Sequence, residues 1–211
     1  MSEDGILHLS KIGRRLNLSS GAAHLPYLYF MTDSVRTPDP IQIARRLPRG
    51  TAVILRHYDT PDRYTLAKDL KRICQDRSLI LIIAEDARLA DIVAADGLHL
   101  PEWAITQPQP GHRRWSRLNN RILTAAVHST RALYAAQKMG ADAVLASPVF
   151  TTASHPNKDA TGVFHFARQS SSALVPMIAL GGITRVTAPR LIGTACAGIA
   201  AIGSLSELSR R

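Results

Sequence analysis

The stretch Val175–Leu205 reads VPMIALGGITRVTAPRLIGTACAGIAAIGSL and contains two short apolar runs that decide the fold. The runs are Met177–Leu180 and Gly198–Ile202, and each is followed at once by small residues, Gly181-Gly182 and Gly203-Ser204. A continuous apolar run is typical of a buried parallel strand. Glycines at the ends of two neighbouring strands predict a nest of backbone amides for an anion, usually a phosphate. Ordinary tight turns between strand and helix are the alternative, and a helical segment is expected between the two runs.

Six more apolar runs precede these two, and helical segments separate them. They are Pro26–Met31, Thr51–Leu55, Leu79–Ile83, Gly97–Leu100, Ile122–Val127 and Ala143–Ala146. Strands that alternate with helices pair in parallel through crossover connections. Eight such units predict an α/β fold, a single-domain (β/α)8 TIM barrel. An open doubly wound sheet is the runner-up, but its glycine fingerprint is absent from the first turn, Thr32-Asp33-Ser34.

The intervening segments carry helical patterns of unequal strength. Helices are predicted over Ile41–Leu47, over Pro61–Gln75 and through Leu89 and Ile92. A further helix is predicted over Thr130–Met139, with Ser129 as its cap. The last one follows the loop Ser147–Gly162 and ends near Ser172. Pro101–Arg121 contains three prolines and is expected to be irregular, with one helical turn.

The amino-terminal residues form a unit of their own in the sequence pattern. Residues 1–24 are predicted to be an N-terminal extension with an amphipathic helix, and residues 25–211 the barrel. Packing against the barrel is the favoured interpretation of the extension, and docking on a partner is the alternative.

Composition excludes several classes of protein. The chain has 211 residues, of which 45% are hydrophobic and 20% charged, as in a globular domain with one core. Its two cysteines, Cys74 and Cys196, are far apart, both fall in segments assigned to helices, and they offer neither a disulfide framework nor a zinc site. No apolar run is long enough to span a membrane, and the first residues lack a signal-peptide pattern. A cytoplasmic protein is therefore expected.

The formal net charge of +10 would attract phosphorylated substrates, nucleic acid or acidic partners alike. The basic residues are scattered over many segments and are not interleaved with stacking aromatics, as they are in proteins that bind single strands. Most of them are interpreted as solvated surface. The expected partner is a small phosphorylated substrate, with no nucleic acid and no membrane.

In a barrel, the residues that follow the strands converge on one face. Here that set combines acidic, basic and anion-binding groups, which is the composition of an active site. It comprises Asp33, Arg56, Glu85, His99, His128, Thr151, Thr152, His155, Gly181, Gly182, Gly203 and Ser204.

The strand motifs, taken in order, resemble those of the thiamine-phosphate synthase/TenI superfamily. They are YLYFMTD, VILR, LIIAED, ADGLHL, AAVHS, GADAVLASPVFTT, PMIALGGI and GIAAIGS, between residues 27 and 206. The resemblance implies a (β/α)8 barrel with a thiazole phosphate site. The synthases join an aminopyrimidine diphosphate to a thiazole phosphate with Mg²⁺ and release pyrophosphate. Some TenI-like relatives are tautomerases that shift a proton with a histidine.

The resemblance is incomplete where the synthases hold the magnesium diphosphate. Of their Q-x-R-x-K motif only Arg56 remains, and the other positions carry Ile54 and Tyr58. The remaining departures are Ala84-Glu85 for an Asn-Asp pair, Ala104 for a second metal aspartate, His155 for a lysine and Ala126 for a serine. Mg²⁺ needs several oxygen ligands, so this half predicts no metal residues unless Glu85, Glu102 and Lys158 form a rebuilt site.

The phosphate end and one histidine fit the resemblance better. It implies phosphate binding by Gly181, Gly182, Gly203 and Ser204, and an acid/base role for His128. A histidine that only hydrogen-bonds to a neighbour at the start of a helix is the alternative for His128. The substrate-binding candidates are Arg56, whose guanidinium suits an anion, and Glu85, His99, Thr151, Thr152 and His155; for His99 a packed, hydrogen-bonded ring is the favoured alternative.

Three hypotheses follow. The first is a TenI-like protein of thiamine biosynthesis that binds a thiazole phosphate and acts as a proton-transfer tautomerase, an isomerase. The second is a thiamine-phosphate synthase, a transferase, with an altered magnesium diphosphate site. The third is a non-catalytic barrel that binds a phosphorylated ligand or a partner. No cofactor is expected except Mg²⁺ under the second hypothesis, and assembly into a homo-oligomer is left open.

Overall fold

The structure is a computed structural model, and it describes residues 3–115, 121–152 and 160–206. Eight parallel strands follow one another around a closed barrel, each paired with the next and the last with the first. They are β1 (Leu28–Met31), β2 (Ala52–Leu55), β3 (Ile80–Ala84), β4 (Gly97–Leu100), β5 (Ile122–Val127), β6 (Ala143–Ala146), β7 (Met177–Leu180) and β8 (Cys196–Ala201). The predicted (β/α)8 barrel is confirmed.

Helices precede, connect and follow the strands. They are α1 (Glu3–Ser19), α2 (Pro40–Ala44), α3 (Arg63–Arg77), α4 (Ala87–Ile92), α5 (Glu102–Thr106), α6 (Pro110–Trp115), α7 (Thr130–Met139), α8 (Val163–Ser172) and α9 (Gly203–Ser206), with a 3₁₀ helix at Ala188–Leu191. Ser129 caps α7 as predicted, since its hydroxyl accepts a hydrogen bond from the amide of Ala132 at 3.1 Å.

Four local predictions are wrong. Helix α2 ends at Ala44 rather than at Leu47, because the amides of Arg46 and Leu47 donate to carbonyl oxygens three residues back in tight turns instead of continuing the α-helix. The segment expected to be irregular holds two short helices, α5 and α6, each of which begins at or directly after a proline. The connection between β7 and β8 is a 3₁₀ turn, and Cys196 begins strand β8 instead of lying in a helix.

The strands alternate their side chains between two apolar layers. Phe30, Val53 and Leu81 point outward into the core beneath the helices. Tyr29, Ile54 and Ile82 point inward and fill the barrel. Because the interior is packed, a ligand can reach the barrel only at one of its ends.

Helix α1 packs against the outside of the barrel, mainly on β8. Its apolar face, formed by Ile6, Leu9, Ile12 and Leu16, is buried in the outer core. The side-chain nitrogen Nδ2 of Asn17 donates to the carbonyl oxygens of Leu25 and Ala197 at 3.3 and 3.0 Å. The predicted extension therefore contains a helix that packs against its own barrel. Among the described residues, no helix is long and apolar enough to cross a membrane.

Candidate active site at the carboxyl ends of the strands

A cavity of about 550 Å³ opens at the carboxyl ends of the strands. Eight of the residues expected at the site line it, namely Arg56, His99, His128, Thr152, Gly181, Gly182, Gly203 and Ser204. Asp33, Glu85 and Thr151 are not among the lining residues. His155 and Lys158 lie outside the described residues. The structure thus brings together two histidines, Arg56 and the glycine turns, but neither of the two acidic residues expected beside them.

The two glycines after β7 are required by their conformation and surroundings. Gly181 and Gly182 have φ angles of +90° and +64°, which disfavour any residue with a Cβ atom. A Cβ on Gly181 would lie 2.8 Å from Cα of Pro148, and one on Gly182 would lie 2.5 Å from the carbonyl oxygen of Thr151. These glycines let the loop after β7 pack against the loop after β6.

The loops after β7 and β8 form one wall of the cavity. The hydroxyl of Ser204 donates to the carbonyl oxygen of Ile183 at 2.8 Å and so joins the two loops. Within the first loop, Thr187 Oγ1 donates to the carbonyl oxygen of Gly182 at 2.7 Å. A Cβ on Gly203 would meet nothing within 4 Å, so packing does not account for this glycine.

His128 directly follows β5, and a hydrogen bond at one of its two ring nitrogens holds the ring in place. Nδ1 is 2.8 Å from the carbonyl oxygen of Ser147. Because a carbonyl oxygen only accepts, Nδ1 carries a proton, and in the neutral ring the lone pair belongs to Nε2. The ring lines the cavity, so Nε2 can exchange a proton with a ligand there.

Glu102 holds the backbone around His128. One carboxylate oxygen accepts from the amide of His128 at 2.8 Å, and the other accepts from the hydroxyl of Ser129 at 2.7 Å. Glu102 also lines the cavity, at the start of α5. From the sequence, Glu102 was a candidate only for a metal ligand. The pattern that could have revealed this role is an acidic residue just after β4, beside a histidine and a capping serine just after β5.

His99 is a packed histidine rather than a charged one. Its Nδ1 is 2.9 Å from Thr124 Oγ1, and the residue is 2% exposed. Burial, together with the nearby positive charge of Arg56 and the neighbouring His128, lowers its pKa to about 3. His99 therefore presents a neutral ring at the floor of the cavity.

Two arginines reach the cavity from the loops after β1 and β2. Arg36, which sequence analysis missed, forms an ion pair with Asp33 at 2.7 Å, and its hydrogen bond lowers the pKa of that carboxyl to about 2. The backbone amide of Arg56 donates to Thr32 Oγ1 at 2.9 Å. In the described part of the chain no hydrogen bond to the Arg56 guanidinium is found, so this group is available to an anion. The sequence signal for the ion pair between Asp33 and Arg36 was their spacing of three residues.

The described residues do not fit a magnesium site. Mg²⁺ takes hard oxygen ligands in near-octahedral geometry. Of the two positions where the resemblance implies metal ligands, Ala104 carries only a methyl group, and Glu85 does not line the cavity. Over residues 3–115, 121–152 and 160–206 no group of three or more His, Cys, Asp or Glu side chains is arranged for a metal ion.

A closed (β/α)8 barrel with a cavity at the carboxyl ends of its strands defines a TIM-barrel protein with its site in the usual place. Within that class the chain belongs to the thiamine monophosphate synthase family, since the model of that family matches residues 28–205. The family acts in thiamine biosynthesis and binds small phosphorylated substrates. The match begins at β1 and leaves helix α1 outside it.

Individual relatives agree with the family. The chain is 34% identical to a protein named putative thiamine-phosphate synthase 2 from Aquifex aeolicus, over 76% of this chain and 87% of the relative. It is 33% identical to a thiamine-phosphate synthase from Chlorobium limicola, over 86% and 87%. A solved thiamine phosphate pyrophosphorylase from Pyrococcus furiosus superposes with a TM-score of 0.69 at 26% identity, over 87% of this chain and 93% of that one. These names are those of synthases, and they give the tautomerase hypothesis no support.

Proposed function

We propose that the protein is an isomerase that acts on a thiazole phosphate, with His128 moving a proton between two positions of the ring. The observation that carries this proposal is the 2.8 Å hydrogen bond from Nδ1 of His128 to the carbonyl oxygen of Ser147. It keeps the proton of the neutral ring on Nδ1 and leaves Nε2 as a base inside the cavity. Family membership supports the substrate class.

The substrate is held from two sides. The phosphate binds to the wall formed by the loops after β7 and β8, with amides at Gly181, Gly182, Gly203 and Ser204 as candidate donors. Arg56, on the other side of the site, binds an anionic substituent of the ring through its guanidinium. This arrangement places the ring beside His128. In the reaction Nε2 takes a proton from one ring position and returns it at another, so that no atom is gained or lost.

Proton exchange tests the proposal. The protein is incubated in D₂O with a thiazole carboxylate phosphate, and interconversion of the ring tautomers with uptake of deuterium is followed by NMR. The wild type is expected to catalyse both, and His128→Gln to reduce the rate by about 10²–10⁴-fold. His24→Gln, which changes an exposed histidine outside the cavity lining, is the matched control. Absence of exchange and of interconversion in the wild type would refute the isomerase.

The second candidate is a thiamine-phosphate synthase, and the names of the relatives from Aquifex aeolicus and Chlorobium limicola favour it. It predicts Mg²⁺-dependent release of pyrophosphate from an aminopyrimidine diphosphate and a thiazole phosphate. The same preparation can be assayed for this product. Release of pyrophosphate together with a silent NMR assay would establish the synthase in place of the isomerase.

A further inference from the structure

A partly buried arginine occupies the corner of the barrel where β2 and β3 end. Arg63, the first residue of α3, has Nη2 2.7 Å from the carbonyl oxygen of Ala84 and 3.3 Å from that of Leu55. Its side chain is 15% exposed, and Nη1 lies 3.9 Å from Asp86 Oδ2. A guanidinium group thus covers the last carbonyl of each of two neighbouring strands.

This corner is the place where the resemblance to the synthases implies a metal ligand, directly after β3. The residue there, Glu85, has a left-handed backbone with φ of +71°. Its amide donates to the carbonyl oxygen of His99 at 2.8 Å, and its own carbonyl accepts from His112 Nε2 at 3.0 Å. The amide and the carbonyl of Glu85 are therefore both hydrogen-bonded to neighbouring residues, and Glu85 does not line the cavity.

Tyr58 separates the arginine from the cavity. The guanidinium carbon of Arg63 lies 5.4 Å from the centroid of the Tyr58 ring, a distance at which a cation and an aromatic face attract each other. Tyr58 itself lines the cavity, whereas Arg63 does not. A ligand in the cavity meets the phenol ring first, with a fixed positive charge behind it.

We propose that Arg63 and Tyr58 determine specificity by closing this corner to metal, so that the site accepts a substrate with a single phosphate without Mg²⁺ and rejects a magnesium diphosphate. The inference rests on the proposed function for the identity of the substrate. Its own basis is electrostatic and steric. The guanidinium repels a divalent cation and takes the carbonyl oxygens that could bind one, and the ring of Tyr58 fills the approach.

Calorimetric titration of the wild type tests the metal preference without any substitution. Inorganic phosphate and pyrophosphate are titrated separately, once with excess Mg²⁺ and once with EDTA. Phosphate is expected to bind equally in both buffers, and pyrophosphate to bind no more tightly with Mg²⁺ than with EDTA. A gain of about tenfold or more in pyrophosphate affinity on adding Mg²⁺ would overturn the inference. Failure of phosphate to bind in either buffer would count against the proposed function instead, so that the two failures are distinguishable.

Two variants of Tyr58 test the covering role of the ring. Tyr58→Ala is expected to expose the guanidinium of Arg63 to the cavity and to tighten pyrophosphate binding about tenfold in EDTA, with no further gain from Mg²⁺. Tyr58→Phe keeps the ring and is expected to bind pyrophosphate as the wild type does. A gain in Tyr58→Ala that needs Mg²⁺, or an equal gain in Tyr58→Phe, would show that the pair does not act in this way.

Discussion

At the scale of single residues, Glu102 is the group that ties His128 to the neighbouring strand end. Replacing it with Ala removes both acceptors, from the amide of His128 and the hydroxyl of Ser129, and frees the start of α7 to shift. We expect kcat for proton exchange to fall about tenfold to a hundredfold, because a small displacement of a base costs that much. Glu102→Gln keeps one acceptor and is expected to recover part of the rate.

Affinity for inorganic phosphate, measured by calorimetry, separates a positioning role from a structural one. It is expected to stay at the wild-type value in both variants, because Glu102 contacts the loop that carries His128 and not the glycine loops after β7 and β8. A parallel loss of phosphate affinity, or a Glu102→Gln variant as slow as Glu102→Ala, would contradict the positioning role.

His99 makes the stability of the barrel depend on pH. Its pKa is about 3 in the folded protein and about 6.5 when unfolded, so the unfolded chain binds the additional proton as pH falls below 6.5. Stability is therefore highest above 6.5 and declines toward pH 3. At pH 4.5 the expected loss from His99 is about 2–3 kcal/mol relative to neutral pH.

Urea unfolding of the wild type and of His99→Gln at neutral pH and at pH 4.5 measures this loss. The variant is expected to show a smaller decline, but not a flat profile, because burial also lowers the pKa of His57. His24→Gln, at an exposed position, should decline as much as the wild type does. An equal decline in His99→Gln would show that His99 titrates normally.

The residues of the site differ in how well their sequence pattern predicted them. The tight turn after β7 could be predicted because its glycines are visible in the sequence. Their positive φ angles and the close approach of the neighbouring backbone disfavour a residue with a Cβ atom. Glu85 was expected beside the histidines because it directly follows β3. Its left-handed backbone and its bonds to His99 and His112 could not be inferred from position alone. The role of Glu102 was hidden because its two partners lie on a different strand end.

At the scale of secondary structure elements, the contact between α1 and the barrel reverses an ordinary rule about helices. Alanine normally stabilises the interior of a helix by up to about 1 kcal/mol relative to glycine. In α1, a Cβ on Gly13 would lie 2.6 Å from the carbonyl oxygen of Tyr27, which enters β1. Gly13→Ala is therefore expected to lower the free energy of unfolding by about 1–3 kcal/mol, because helix and strand must separate.

Gly111→Ala in α6 is the matched control for that change. Its Cβ would meet Ala87 Cβ at 3.4 Å, an ordinary contact, so that this variant should be neutral or slightly stabilising. Urea denaturation of both variants measures the difference. Equal stabilisation by the two substitutions would show that α1 is not held against the strand at Gly13.

The strands were predicted more accurately than the helices for a physical reason. A barrel strand is buried on both faces, so its apolar run is continuous and its ends are visible in the sequence. Four strands, β4, β5, β6 and β7, have the predicted bounds. The short helices α2, α5 and α6 depend on local signals, above all on the position of a proline, and their apolar periodicity is too brief to define their bounds.

At the scale of the whole molecule, the cavity is built from loops that follow most of the strands, so a ligand there binds the closed barrel and not the unfolded chain. A thiazole phosphate present at about one hundred times its dissociation constant should stabilise the fold by about 2.7 kcal/mol. For a domain of this size that corresponds to a rise in Tm of about 5–10 °C.

Arg56 is the residue through which this linkage is tested. Because its guanidinium has no hydrogen-bond partner among the described residues, Arg56→Gln is expected to leave the Tm of the unliganded protein nearly unchanged. The ligand-induced rise should shrink, since an anionic group of the ligand loses its charged partner. Arg131→Gln, on the exposed surface of α7, should keep both the Tm and the rise.

An Arg56→Gln variant that melts well below the wild type without ligand would assign this arginine to the stability of the fold. A full ligand-induced rise in Tm in that variant would show that Arg56 does not bind the ligand. A group that only binds ligand contributes to stability only when the ligand is present.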